Sequence, residues 1–374
     1  MIDDLLACPN CHQPLQRSGE QWSCGRCGVV GRTTLGFADF VGDDPLLPMA
    51  AGGTMDLRND EEVAAGLLGS SSELTFTELC QRLADLHVSQ SDASTWPAWR
   101  RWAQQRFHRN LARINTEGEA KGGEAILAKI DNKIAEAGWP PLGGRLALEA
   151  GGGEGLILPA FSSRFGTVVF VDASVANIVL AAKLAEERKL ENVLFVRADV
   201  TRLPFGDDLF DFVHQNGVVE HVHDPVAMVN EGVRVRSRSG YYVCVSPNGM
   251  AITPEPHFGL PVFGLVPGGL RRVLIPVVRG GTFEQGGTDP RSLRQLRSYL
   301  RPAQGDEVIV YFLPRHLPFT ARQTPVRRLV QRALSTHLVG DAIDTLLNRA
   351  LLPVMPQHIA IVRASAPVPS TPSP

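Results

Sequence analysis

The chain has 374 residues, enough for two or three domains, one of them with a substantial core. Its 44% hydrophobic and 20% charged content excludes a disordered or fibrous chain. Lys and Arg (37) nearly balance Asp and Glu (39), which argues against a dedicated nucleic-acid binder with its usual basic excess. The opening MIDDLLACPN has no basic segment followed by an apolar core, so no secretory signal and a cytoplasmic location are expected. No apolar run approaches the roughly 18 residues of a membrane-spanning helix.

Residues 1–42 are short, Gly-rich and turn-laden. They hold Cys8-Pro-Asn-Cys11 and Cys24-Gly-Arg-Cys27, two CxxC pairs twelve residues apart. A tetrahedral Zn²⁺ needs four soft ligands, and each CxxC turn presents two thiolates to one metal. With Cys at all four positions the site is closed, so a structural Zn²⁺ is expected, not a catalytic one. Cys80 and Cys244 stand alone, which fits a reducing compartment better than a disulfide framework. The residues LLACPNCHQPL, WSCGRCG and GFADFV resemble the small zinc-ribbon proteins that partner RNA and protein methyltransferases, and the ribbons fused to some rRNA guanine methyltransferases.

Residues 43–140 carry helical periodicity broken by loops and are read as a helical linker or cap. Trp96, Trp99 and Trp102 recur there at intervals of three, as a helix-packing face or as the lining of an acceptor pocket. From 141 to 363, apolar β-branched runs alternate with helical stretches, the signature of a doubly wound, mostly parallel α/β sheet, read here as seven-stranded and Rossmann-like. Strands are expected at 145–150, 167–172, 193–197, 209–214, 240–246, 307–313 and 357–363. Helices are expected near 155–165, 174–189 and 223–236. Insertions are expected at 248–290 and 314–356, and the Pro/Ser/Thr-rich tail 364–374 should be disordered.

The first strand runs into Glu149-Ala-Gly151-Gly-Gly153-Glu-Gly155. This is acidic-x-G-x-G-x-G and not the dinucleotide pattern G-x-G-x-x-G, because Leu156 stands where a third glycine would be needed. A carboxylate ahead of the glycines suits a cationic amino-acid group better than a pyrophosphate. The second strand ends in Asp172, placed to accept from ribose hydroxyls, and the third leads into Asp199-Val200, where an acid can accept from an adenine amino group. Acidic residues at the ends of successive strands converge on the crevice where open α/β sheets bind ligands.

LEAGGGEG, VDAS, ADVTRLPF, FDFVHQNGVVEHVHDP and GYYVCVSPN, in that order over about 144–247, resemble class I S-adenosylmethionine-dependent methyltransferases, particularly the ubiquinone- and menaquinone-type branch. The resemblance implies S-adenosyl-L-methionine as cofactor. Glu149, Gly151, Gly153 and Gly155 would contact its methionine part, Asp172 with Ala173 the ribose, and Asp199 with Val200 the adenine. Asn216 would lie beside the transferred methyl.

Methyl transfer from a sulfonium is an in-line displacement, in which the protein aligns the nucleophile and removes its proton. His221 is one candidate base. Glu255 and His257 form another pair, a carboxylate beside an imidazole in the stiff loop TPEPHFGLP. His214 reads as a packed core histidine and His223 as an exposed one. No Asn-Pro-Pro-Tyr-type segment follows the fourth strand, so oxygen methylation of a small-molecule or glycan- or lipid-linked acceptor is the first reading. Between Arg234 and Arg332 fifteen Arg face five acids, and the segments 257–280 and 324–352 are apolar or amphipathic. These features are compatible with an anionic acceptor or peripheral membrane contact. Two other readings stay open: an RNA methyltransferase whose ribbon reads RNA, and a non-catalytic adaptor. Oligomeric state and acceptor identity are not written in the sequence.

Overall fold

A computed structural model describes residues 2–90, 119–251, 288–301, 306–311 and 357–365, with positions 266, 270 and 352. Trp96, Trp99, Trp102, Glu255 and His257, and the segments 257–265 and 324–350, lie outside these described residues.

The N-terminal segment folds as strands β1 (Leu15–Ser18), β2 (Gln21–Cys24), β3 (Gly28–Thr34) and β4 (Phe37–Asp39), each antiparallel to the next. A small hairpin follows, β5 (Leu46–Pro48) with β6 (Thr54–Asp56). Helix α1 (Leu57–Leu68) starts where the Asp56 side chain accepts from the amides of Arg58 and Asn59, satisfying two donors of the first turn. Helices α2 (Phe76–Gln90) and α3 (Glu119–Glu136) complete this half.

The second half runs β7 (Leu146–Ala150), α4 (Leu158–Arg164), β8 (Thr167–Asp172), α5 (Val175–Arg188), β9 (Val193–Arg197), β10 (Phe210–Asn216), α6 (Pro225–Val235), β11 (Arg236–Pro247), α7 (Leu293–Tyr299), β12 (Asp306–Tyr311) and β13 (Gln357–Ala364). β7 and β8 are buried almost throughout, as continuous apolar runs must be when helices cover both faces of a parallel sheet. α5 is capped by Ser174, and Lys189 closes it in the left-handed region at φ 54°. α6 begins on Asp224 with Pro225 at its first position, where a missing N–H costs nothing. Among the described helices none is long and apolar enough to cross a membrane.

The expected seven strands understate the sheet. Its order is β1-β2-β3-β4-β9-β8-β7-β10-β11-β13-β12, eleven strands in all. The seven strands from β7 onward are contiguous, and the cysteine-bearing segment adds four more at the β9 edge. The join is a parallel pairing of Ala38 with Val196 and Asp39 with Arg197. Leu6, Trp22, Ala38 and Phe40 belong to the same buried cluster as Val196, Leu203 and Phe205, so the N-terminal segment shares the sheet's core. An isolated edge at β9 would leave unpaired backbone groups; β4 covers them.

β7 lies between β8 and β10, so the chain reverses direction across the sheet at this point. The crevice at the C-terminal ends of these strands is where such sheets bind ligands.

Gly232 in α6 faces the buried ring of Tyr242 on β11, and a Cβ there would stand 2.5 Å from Cε2. A helix interior alone would favour Ala over Gly by about 1 kcal/mol. Gly232→Ala is instead expected to lower stability by about 1–3 kcal/mol in urea unfolding, because the packed ring has to shift. A gain in stability would show that the ring yields freely.

Candidate functional site

The turn after β7 is built against β8. The amide of Gly151 donates to the Val171 carbonyl at 2.7 Å, and that of Gly153 to Asp172 Oδ2 at 2.9 Å. Gly151 has φ +78°, and a Cβ on it would meet Val218 at 2.6 Å. Gly153 has φ +55° with open space where a Cβ would stand, so its backbone faces the cavity bare.

That cavity has a volume of about 560 Å³. One side is formed by Gly151–Glu154 and by Asp172, Ala173, Ser174 and Asn177. A second is formed by Asp199, Val200 and Thr201, and a third by Asn216–Val218 and His221–Asp224. Leu47, Pro48, Met49 and Met55, from the β5–β6 hairpin, make an apolar wall. The hairpin is tied down by a bridge between Met49 and Val222 and by the Ala50 amide donating to the His221 carbonyl at 2.8 Å.

Asp172 is 8% exposed. Burial pushes its carboxyl up to about 6, against the opposing pull of the amides of Ser174 and Gly153 and of the Asn177 side chain. Asp199 accepts from the amide and the hydroxyl of Thr201 at 2.9 and 2.7 Å, which fixes its orientation at the cavity rim. His221 holds Nδ1 3.2 Å from the Thr288 hydroxyl, a contact that reaches across from beyond the 252–287 segment.

Of the residues singled out in the sequence, Gly151, Gly153, Asp172, Ala173, Asp199, Val200, Asn216 and His221 therefore meet around one cavity. Glu149 and Gly155 do not line it. The Glu149 carboxylate lies 2.6 Å from His214 Nδ1, both side chains buried, and the imidazole is packed among Phe161 and Phe212. Gly155 packs on Ala181 of α5. His214 is the core histidine the sequence suggested, whereas His223 lines the cavity. The apolar wall of Leu47, Met49 and Met55 had no sequence signal, since two three-residue strands show no alternation to read.

The charge of the lining is one-sided. It holds the carboxylates of Glu154, Asp172, Asp199 and Asp224, and no Lys or Arg among the described residues. A pyrophosphate would meet repulsion there. A ligand with hydroxyls, an amine and a positive centre would find acceptors.

The cysteines converge as well. The Sγ atoms of Cys8, Cys11, Cys24 and Cys27 all lie within 4.8 Å of one another, with Cys11 3.5 Å from both Cys24 and Cys27. The amides of Arg26 and Cys27 lower the Cys24 thiol to about 7.

Comparison with known proteins agrees with this geometry. Residues 148–244 match the family model described as a methyltransferase domain. An uncharacterized methyltransferase of Bacillus subtilis, YcgJ, is 33% identical over 98 residues, covering 26% of this chain and 39% of that protein. A phosphatidylethanolamine N-methyltransferase of Cereibacter sphaeroides is 38% identical over 105 residues, covering 28% of this chain and 51% of that protein. The chain thus spans well under two thirds of either relative. The crystal structure of YcgJ aligns with a TM-score of 0.38 at 20% identity, over 63% of this chain and 98% of that one. Residues 148–244 of this chain are thus similar to methyltransferase domains.

Proposed function

We propose that the chain is an S-adenosylmethionine-dependent methyltransferase that methylates an oxygen of a small-molecule or lipid-linked acceptor. The observation that carries this reading is the acid-lined cavity, with no Lys or Arg among its described lining residues, at the switch point of the sheet. Its donor set suits a sulfonium cofactor: backbone of Gly151 and Gly153 for the methionine part, Asp172 and Ala173 for the ribose, Asp199 and Val200 for the adenine. Asn216, at the end of β10 and in the cavity lining, would lie beside the methyl. Glu149 serves this arrangement from behind, as the buried partner of His214.

The bound cofactor would supply an electrophilic methyl on a good leaving group. The protein's part is to align the acceptor and take its proton. His221 is the residue for the second task. It lines the cavity beside Asn216–Val218, with its Nδ1 3.2 Å from the Thr288 hydroxyl, and an imidazole is the side chain suited to take a proton near neutral pH. The apolar wall of Leu47, Pro48, Met49 and Met55 favours an acceptor with a hydrocarbon face, in keeping with the lipid acceptor named for the Cereibacter relative and with the quinone-type motifs. Residues 1–42 form the ribbon, 43–140 the cap and 141–363 the catalytic domain.

Zinc belongs to the same proposal. Tetrahedral Zn–S bonds of about 2.3 Å place sulfurs about 3.8 Å apart. The thiol separations at Cys8, Cys11, Cys24 and Cys27 are already near that value.

Calorimetry with S-adenosylhomocysteine should give micromolar binding that Asp172→Ala weakens by about tenfold or more, the worth of a charge-assisted hydrogen bond. The absence of binding to the wild-type protein overturns the enzyme reading. Because Asp172 must be ionised to accept from ribose hydroxyls, affinity should be level above its value of about 6 and fall below it. The fall should level off at about the loss that Asp172→Ala causes, and Asp172→Asn should be flat over that range. For the ribbon, one equivalent of zinc per chain by mass spectrometry is expected, and Cys24→Ser should lose it. A metal-free wild-type protein purified without chelator counts against the site.

A further inference from the structure

We infer that Asp60, on the helix that follows the ribbon, is a positioning residue for the ribose-binding carboxylate of Asp172, held in register by Arg197. This rests on the cofactor reading above.

Arg197 ends β9 with no exposure to solvent, and a guanidinium so buried has to satisfy all five of its N–H groups. It does so. Nε donates to the Ala173 carbonyl at 3.0 Å; Nη1 meets Asp39 at 3.1 Å and Glu61 at 2.6 Å; Nη2 meets Asp60 at 3.3 Å and the Leu57 carbonyl at 3.4 Å. All three carboxylates come from outside 148–244: Asp39 from the ribbon strand β4, Asp60 and Glu61 from α1.

Asp60 is the member that reaches the cofactor side. It lies on the buried face of α1, among Leu57, Val63, Ala64 and Leu67, where an apolar residue would be expected. Its Oδ1 accepts from the Ser174 hydroxyl at 2.6 Å and its Oδ2 from the Val175 amide at 2.7 Å. The Ser174 amide in turn donates to Asp172 Oδ1 at 2.9 Å. Ser174 is thus gripped by two carboxylates, hydroxyl to Asp60 and amide to Asp172. The segment 173–175 is held from behind at three points: the Ala173 carbonyl by Arg197, and the Ser174 hydroxyl and Val175 amide by Asp60. Releasing Asp60 frees the Ser174 hydroxyl and the first amide of α5, and with them the orientation of Asp172. Arg197 keeps Asp39 and Glu61, so its charge stays compensated.

The test compares two ligands, S-adenosylhomocysteine and its 2′-deoxyribose analogue, by calorimetry on the full chain. The ratio of their affinities reads the ribose contact alone, which a loss of global stability does not move. Wild type should prefer the ribose ligand by about tenfold or more. Asp60→Ala should bring the ratio to within threefold of unity, and Ser174→Ala, which removes the hydroxyl that Asp60 grips together with its cap on the Asn177 amide, should do the same if Asp60→Ala does not fold. Asp60→Glu should restore part of the preference. Glu61→Gln, which loosens Arg197 without touching α5, should lower the melting temperature and keep the wild-type ratio. A wild-type ratio in a folded Asp60→Ala or Ser174→Ala protein overturns the inference, as does a wild-type protein that binds both ligands equally. Failure of wild type to bind S-adenosylhomocysteine at all is a different result, and sinks the cofactor reading itself.

Discussion

A guanidinium removed from water costs several kcal/mol unless every donor finds an acceptor, and Arg197 meets that demand by drawing four parts of the chain together. β4 contributes Asp39, α1 contributes Asp60, Glu61 and the Leu57 carbonyl, and the end of β8 contributes Ala173. Arg197 itself sits on the strand whose edge the ribbon covers. Arg32 of β3 adds a second cation near Asp39 and Glu61, at 3.6 and 3.3 Å, so the acids here are not left in excess around one charge. Such a node stabilises little by itself, since desolvation offsets most of the attraction. Its consequence is geometric. It ties β4, the first helix and the turn after β8 to one another through a single side chain.

The cavity in front of this node carries the opposite imbalance. Asp172 sits at about 6, with burial and the nearby Asp60 raising it above 3.8. In the unfolded chain Asp172 would lose its proton near the lower value. This group therefore favours the fold at low pH, and its contribution is lost as the pH rises through 6. At neutral pH the buried carboxylate is ionised against the cost of its desolvation, which is a strain on the site. Hydroxyl donors and a positive ligand relieve that strain. Acidic lining, buried carboxylate and absent Lys or Arg among the described lining residues are one electrostatic statement, and it favours a sulfonium cofactor over a phosphate-bearing one.

Much of the sheet was legible because buried parallel strands read as apolar runs. β8, expected at 167–172, is Thr167–Asp172, and β9, expected at 193–197, is Val193–Arg197. β11 begins four residues earlier than expected, at Arg236, because α6 passes into it without a loop and Gly240 lies inside the strand. Three things were not legible. The β4–β9 pairing is made by backbone groups and leaves no side-chain pattern, so an eleven-stranded sheet was read as seven strands plus a bead. Glu149 stood where its motif puts a ligand contact, but the partner that claims it, His214, is 65 residues away. Arg197 drew no remark in the sequence, and the three acids it meets lie 136 to 158 residues away from it.

The matched stretch 148–244 is about a quarter of the chain, yet it is not the unit that builds the site. Without residues 2–61 the β9 edge is uncovered, Arg197 has none of its carboxylates, Ser174 and Val175 lose Asp60, and the cavity loses the wall of Leu47, Pro48, Met49 and Met55. These losses fall on the adenosine side and on the mouth of one cavity. The glycine turn and β10, which would hold the methionine part, rest on contacts inside the matched stretch. On the proposed cofactor reading, the N-terminal segment would bear on how the nucleoside and the acceptor are held, and the matched stretch on how the methyl is presented. Because β4 and β9 lie in one chain, the strand that covers the β9 edge is always present at the effective concentration of a tethered neighbour.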